Sequence, residues 1–172
     1  MIEYKGLTTF TTDQAGRYTG NYIQELSADL GPELNRFLME NLLEVKKTLL
    51  QTLTASNYST DYYGWFGVDS LIFKAPDGEF IIQPCIEINC RFTMGAIALS
   101  LRNHLAEQSN GEFRIMHGKA GSFQNYCDEM SMKDPLIVKN GKIVGGFLAL
   151  TPALQNCSFG AYIKVNPDPD QA

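Results

Sequence analysis

The chain has little of what would bind nucleic acid, cross a membrane or hold zinc. Its 14 lysines and arginines are outnumbered by 19 aspartates and glutamates, for a net charge of −5 over 172 residues. No basic stripe is present to neutralise phosphates along a strand, so no nucleic-acid partner is expected. No stretch approaches the roughly 20 apolar residues that span a bilayer, and Met1-Ile2-Glu3-Tyr4-Lys5 lacks the apolar core of a signal peptide. A cytoplasmic chain with no membrane partner is expected. Cys85, Cys90, Cys127 and Cys157 form no C-x-x-C pair, and His104 and His117 stand at no zinc-finger spacing from them. Cys85 and Cys90 lie in an apolar run and read as small buried hydrophobes.

What is present describes a folded domain. Hydrophobic residues make up 44% of the chain and are spread along it, which suits one domain over residues 1–165. The segment 166–172, Asn-Pro-Asp-Pro-Asp-Gln-Ala, has the composition of a disordered tail. Leu34, Leu38, Leu42, Val45, Leu49 and Leu53 recur at steps of three and four behind Pro32, predicting a long helix to about Ala55. Met94, Ile97, Ala98, Leu101 and Leu105 predict a second, from Thr93 to about Glu107. Strands are expected at Tyr4–Thr11, Trp65–Lys74, Glu79–Asn89, Phe113–His117, Leu136–Lys139, Lys142–Val144 and Phe159–Val165. Ala75-Pro76-Asp77-Gly78 and Asn140-Gly141 supply hairpin turns. The expectation is an α+β fold, a mainly antiparallel sheet with two long helices packed on it.

The first hairpin carries the chemistry. Alternation along a strand places Cys85, Glu87 and Asn89 on one face. A three-residue turn pairing Ala75 with Glu79 would set Asp69 opposite Cys85 and diagonal to Glu87, on that same face. Ile86 and Ile88 would point the other way, into a core. Two carboxylates and an amide oxygen are hard donors of the kind magnesium takes, with phosphates and water completing its octahedron. Arg91 adds a planar cation, and the helix starting near Thr93 turns its free amides towards the same region. A surface salt bridge between Glu87 and Arg91 would produce the same residue spacing with no metal.

Gly64-Trp65-Phe66-Gly67-Val68-Asp69 followed by Pro84-Cys85-Ile86-Glu87-Ile88-Asn89-Cys90-Arg91 resembles the paired metal-ligand strands of ATP-grasp enzymes. The continuation Phe92-Thr93-Met94-Gly95 and the opening Tyr4-Lys5-Gly6-Leu7 with Tyr18-Thr19-Gly20-Asn21 resemble an uncharacterised bacterial branch of that superfamily. The resemblance covers the chain as a carboxyl-terminal half. It implies ATP and Mg²⁺ as cofactors, with Asp69, Glu87 and Asn89 as metal ligands, Arg91 as the catalytic cation and phosphate contact, and Thr93 beside the nucleotide. It further implies a carboxylate–amine ligase whose amino-terminal domain and lid come from a separate chain or a missing segment, so that these residues are inactive alone. The alternative is a non-catalytic binding or assembly module that retains the sheet. The acceptor and donor substrates stay open.

Other motifs are weaker. His117-Gly118-Lys119-Ala120-Gly121-Ser122 has Phe113 and Ala120 where a Walker A loop needs Gly and Ser or Thr, and reads as an ordinary loop. His117 and Cys127 offer a Cys-His pair with no third orienting residue. Tyr58, Tyr62, Tyr63, Trp65 and Phe66 could stack a ligand, although aromatics leading into a strand are more often core.

Overall fold

A computed structural model of the chain describes residues 1–23, 30–107 and 109–166. Its contacts group into two compact units, Met1–Leu7 with Leu26–Ala96 and Thr8–Glu25 with Ile97–Ala172, within the span read from sequence as one domain. Among the described residues the secondary structure is α+β, with four helices and strand ladders that all run antiparallel.

In the first unit, α1 (Pro32–Thr54) begins with Pro32 directly after Gly31 and runs 23 residues, about 35 Å at the usual rise. Leu38 and Leu53 are its buried side chains. A short α2 (Tyr58–Asp61) leads to β3 (Gly67–Lys74) and β4 (Phe80–Asn89), which form a two-stranded sheet. The turn between them is as its chemistry requires. Ala75 N–H donates to Glu79 O at 2.8 Å, Gly78 N–H to Ala75 O at 2.9 Å, and Gly78 takes φ 91°, which only glycine adopts freely. Alternation puts Val68, Ile72, Phe80, Ile82 and Ile88 on one face, all half-buried. There Phe37 of α1 meets Phe80 at 5.4 Å between ring centroids, and Lys74 reaches Glu33 at 3.1 Å.

The second unit is a six-stranded sheet, taking β1 (Phe10–Thr12) and β2 (Tyr18–Ile23) with β5 (Asn110–His117), β6 (Ile137–Lys139), β7 (Lys142–Ala149) and β8 (Phe159–Asn166). The order across it is β1-β2-β5-β8-β7-β6. One face buries Ile23, Phe113, Ile163 and Val165. On the other, α4 (Ser122–Lys133) packs Phe123, Cys127 and Met130 against Phe147. A Cβ at Gly160 would lie 2.1 Å from the Phe123 ring, so only a bare backbone there admits that ring. Asn140 and Gly141 both take positive φ, 51° and 74°, the backbone of a type I′ turn.

Several expectations are corrected. Only the end of Tyr4–Thr11 is strand, as β1. The second helix, α3 (Met94–Arg102), is 9 residues long. It stops early because the next residues pair with β7: Ile143 N–H donates to His104 O at 2.8 Å and Ala106 N–H to Ile143 O at 2.9 Å. Helix α4 was not expected, though Phe123, Tyr126, Cys127 and Met130 fall at helical spacing. Asn166 ends β8 rather than starting a tail, and residues 167–172 of that expected tail lie outside the described residues.

Candidate metal centre

The two strands of the first hairpin do not keep one register. Near the turn Leu71 pairs with Gln83, but further along Asp69 pairs with Glu87 and Gly67 with Asn89. Ser70 alone therefore faces Pro84, Cys85 and Ile86 on β4. The cause is Pro84: it has no N–H to give the ladder, so the strand must bulge where it sits. Ser70 Oγ donates to Pro84 O at 2.7 Å and closes the gap. The expected pairing of Asp69 with Cys85 is thus replaced by a direct pairing with Glu87. Because the shift is two residues, every side chain keeps its face. Ile86 falls in the bulge and is 58% exposed, not in a core. Cys85 is half-buried and Cys90 exposed, so the reading of both as buried hydrophobes is also corrected.

The site residues converge. A direct cross-strand pair has Cβ atoms about 5 Å apart, which sets the Asp69 and Glu87 carboxylates side by side. Asn89 Nδ2 donates to Asp69 Oδ2 at 3.3 Å, and Arg91 Nη2 donates to Asn89 Oδ1 at 3.4 Å. Burial and the negative charge of Glu87 raise the Asp69 carboxyl above its ordinary value, against the pull of Arg91 and the bond from Asn89. Asp69 and Asn89 are half-buried, whereas Glu87 and Arg91 are exposed.

Opposite Asn89, Gly67 leaves a slot. A Cβ there would be 2.9 Å from Thr93 Cγ2, so the Thr93 side chain lies over the bare backbone on the face that carries Asp69. Thr93 Oγ1 also accepts the Ala96 N–H at 3.3 Å, the bond by which an N-cap residue starts a helix. Thr93 is thereby fixed as the cap of α3, its methyl against β3.

An exposed aromatic pair lies next to the site residues in sequence. Trp65 and Phe92 meet edge to face at 5.4 Å between centroids, and the Tyr62 hydroxyl donates to Trp65 O at 2.7 Å. Phe66 instead stacks on Tyr58, with centroids 6.4 Å apart. Sequence reasoning named these aromatics but not the Trp65–Phe92 contact. It also missed Gly67, Ser70 and Pro84 as the residues that set the geometry, although a proline inside a strand pattern is a signal for a bulge.

The remaining motifs are engaged in the fold. Gly118 N–H donates to Ser158 O at 2.7 Å and Gly121 N–H to Cys157 O at 3.0 Å, so these amides of the 117–122 loop are engaged within the protein. Cys127 is buried in the α4 cluster, where burial raises its thiol.

Among the described residues no group of three or more His, Cys, Asp or Glu side chains gathers as a metal site; the cluster here is two carboxylates and an amide. No helix of the described residues is long and apolar enough to cross a membrane. No family model matches the chain, and no curated protein or solved structure matches it.

Proposed function

We propose that Asp69, Glu87 and Asn89 hold magnesium against nucleotide phosphates, as in an ATP-grasp carboxylate–amine ligase, and that these residues form its metal- and phosphate-binding part. The observation that carries this reading is the direct pairing of Asp69 with Glu87, two like charges set side by side by the bulge at Pro84. Like charges across a ladder are destabilising, and a divalent cation between them removes that penalty. The donor set fits: both carboxylates are hard, and magnesium needs only one or two from protein when phosphates supply the rest. Asn89 at present turns Nδ2 to Asp69 and Oδ1 to Arg91. Half a turn of its amide exchanges them, bringing the oxygen to the acidic pair and the NH₂ group towards Arg91. Such an exchange would free the guanidinium for phosphate.

In this class of reaction the terminal phosphoryl group of ATP passes to a substrate carboxylate oxygen with release of ADP, and an amine then displaces phosphate to leave an amide. Magnesium, when bound, offsets charge on the phosphate oxygens. The residues here position rather than react: the carboxylates fix the cation, Arg91 addresses phosphate, and the hairpin holds them on one face. With Arg91 as the cation of the cluster, turnover by the 172 residues alone is expected at background.

Titration calorimetry with a non-hydrolysable ATP analogue, with and without Mg²⁺, tests the assignment. Glu87→Ala removes most magnesium-dependent binding, and Arg91→Ala weakens the nucleotide while sparing the metal. Identical binding by wild type and Glu87→Ala sinks the reading.

A further inference from the structure

Asn-Gly occurs twice in the sequence, at Asn110-Gly111 and Asn140-Gly141, and every other asparagine precedes a residue with a side chain. The distinction is chemical. The backbone nitrogen after an asparagine can attack the side-chain amide carbon and close a five-membered ring, and only before glycine is that approach clear of a Cβ. Closure also needs the backbone between the two groups to rotate, so the fold decides which pair reacts.

The two pairs are held very differently. Asn110 and Gly111 open β5, where Gly111 is buried and pairs with Ile23 on one side and Val165 on the other. A Cβ at Gly111 would lie 3.0 Å from Leu105 Cδ2, so its neighbours close tightly on it. Asn140 and Gly141 form the exposed turn between β6 and β7, and among the described residues nothing lies within 4 Å of where a Gly141 Cβ would be. Strand β6 is three residues long, exposed throughout and last in the sheet order, with β7 as its neighbour. A short exposed edge strand opens at far smaller free energy than the centre of a sheet. Lys139 and Lys142 pair at the base of the turn, and their charges favour the negative charge that develops on the attacked carbonyl.

We infer that Asn140 is a site of spontaneous deamidation in the folded chain, whereas Asn110 reacts only on unfolding. Base removes the Gly141 amide proton, the nitrogen attacks Asn140 Cγ, and ammonia leaves, giving a succinimide that joins the two residues. Water then opens the ring at Cγ to give aspartate, or at the main-chain carbonyl to give isoaspartate. The second product carries an extra methylene in the backbone and no longer fits a two-residue turn.

The full chain is incubated in mildly alkaline buffer, folded and in urea, and cleaved with a protease that spares lysine. Mass spectrometry of the peptides follows both asparagines in each sample. In the folded chain Asn140 should convert at least roughly tenfold faster than Asn110. In urea the two should convert at similar rates, which assigns the difference to the fold. Asn140→Gln, whose longer side chain would have to close a larger ring, should abolish the change at that position and leave Asn110 as it was. Equal rates in the folded chain overturn the inference. So does a folded Asn140 that stays intact while the urea sample converts, and so does an undiminished preference for Asn140 in urea.

Discussion

Asp69 stands directly across the ladder from Glu87, and the residue responsible is neither of them: Pro84 interrupts β4 and moves the pairing along by two. The Ser70 hydroxyl on the Pro84 carbonyl fastens that interruption. The geometry of the acidic pair therefore depends on a bond remote from any metal.

Ser70→Ala tests that dependence. Losing one exposed hydrogen bond should cost about 1 kcal/mol or less in urea unfolding. Magnesium affinity, read by calorimetry, should fall several-fold because the carboxylates are no longer held in register. Unchanged affinity with the expected loss of stability would show that the bulge holds itself.

Gly67 and Thr93 form a second coupled pair. Gly67→Ala places a Cβ 2.9 Å from Thr93 Cγ2, and displacing Thr93 also strains the cap of α3, so a loss of about 1–2 kcal/mol is expected. Thr93→Ser in the same background removes the methyl and keeps the capping hydroxyl. A double-mutant cycle should then show recovery of most of the loss; simple additivity would mean the two residues do not collide.

The Asp69 carboxyl gives a pH dependence of definite sign. Its folded value is raised by burial and by Glu87 above the ordinary 3.8. Between the two values the folded chain holds a proton that the unfolded chain has lost. Stability is therefore higher below that window and falls as pH rises through it. In metal-free buffer Asp69→Asn should melt above wild type at pH 7 and together with it below the window. The gain should be modest, since the group is only half-buried and solvent screens it. Added Mg²⁺ should stabilise wild type and not the variant. A variant that melts below wild type at pH 7 without metal contradicts the assignment of strain to this pair.

The cysteines should divide by location. At pH 8 an aromatic disulfide reagent should label exposed Cys90 within the mixing time. Cys127, buried and kept protonated by its surroundings, should react only at the rate of unfolding. Labelling of Cys127 as fast as Cys90 would show that the α4 cluster opens freely.

Much of this arrangement was readable where one local rule acts alone. Pro-Asp-Gly and Asn-Gly demanded their turns, the leucine spacing demanded α1, and strand alternation put Asp69, Glu87 and Asn89 on one face. What escaped depends on competition between rules. The apolar stripe through Leu105 ran on as helix, but β7 claimed the backbone at His104 and Ala106. Helix α4 followed a glycine-rich stretch that read as loop, which masked the spacing of Phe123, Cys127 and Met130. The register of Asp69 assumed an unbroken ladder, and one missing N–H at Pro84 decided otherwise.

The bulge leaves the hairpin countable only in twos. Removing one residue between Gln83 and Glu87 would swing Glu87 and Asn89 round to the α1 side and bring Ile88 out. Removing two would restore the unbroken ladder and leave the acids where they are. Length change along this strand is therefore forgiving at even steps and ruinous at odd ones, which makes the parity of the spacing, rather than its length, the quantity that descent must preserve.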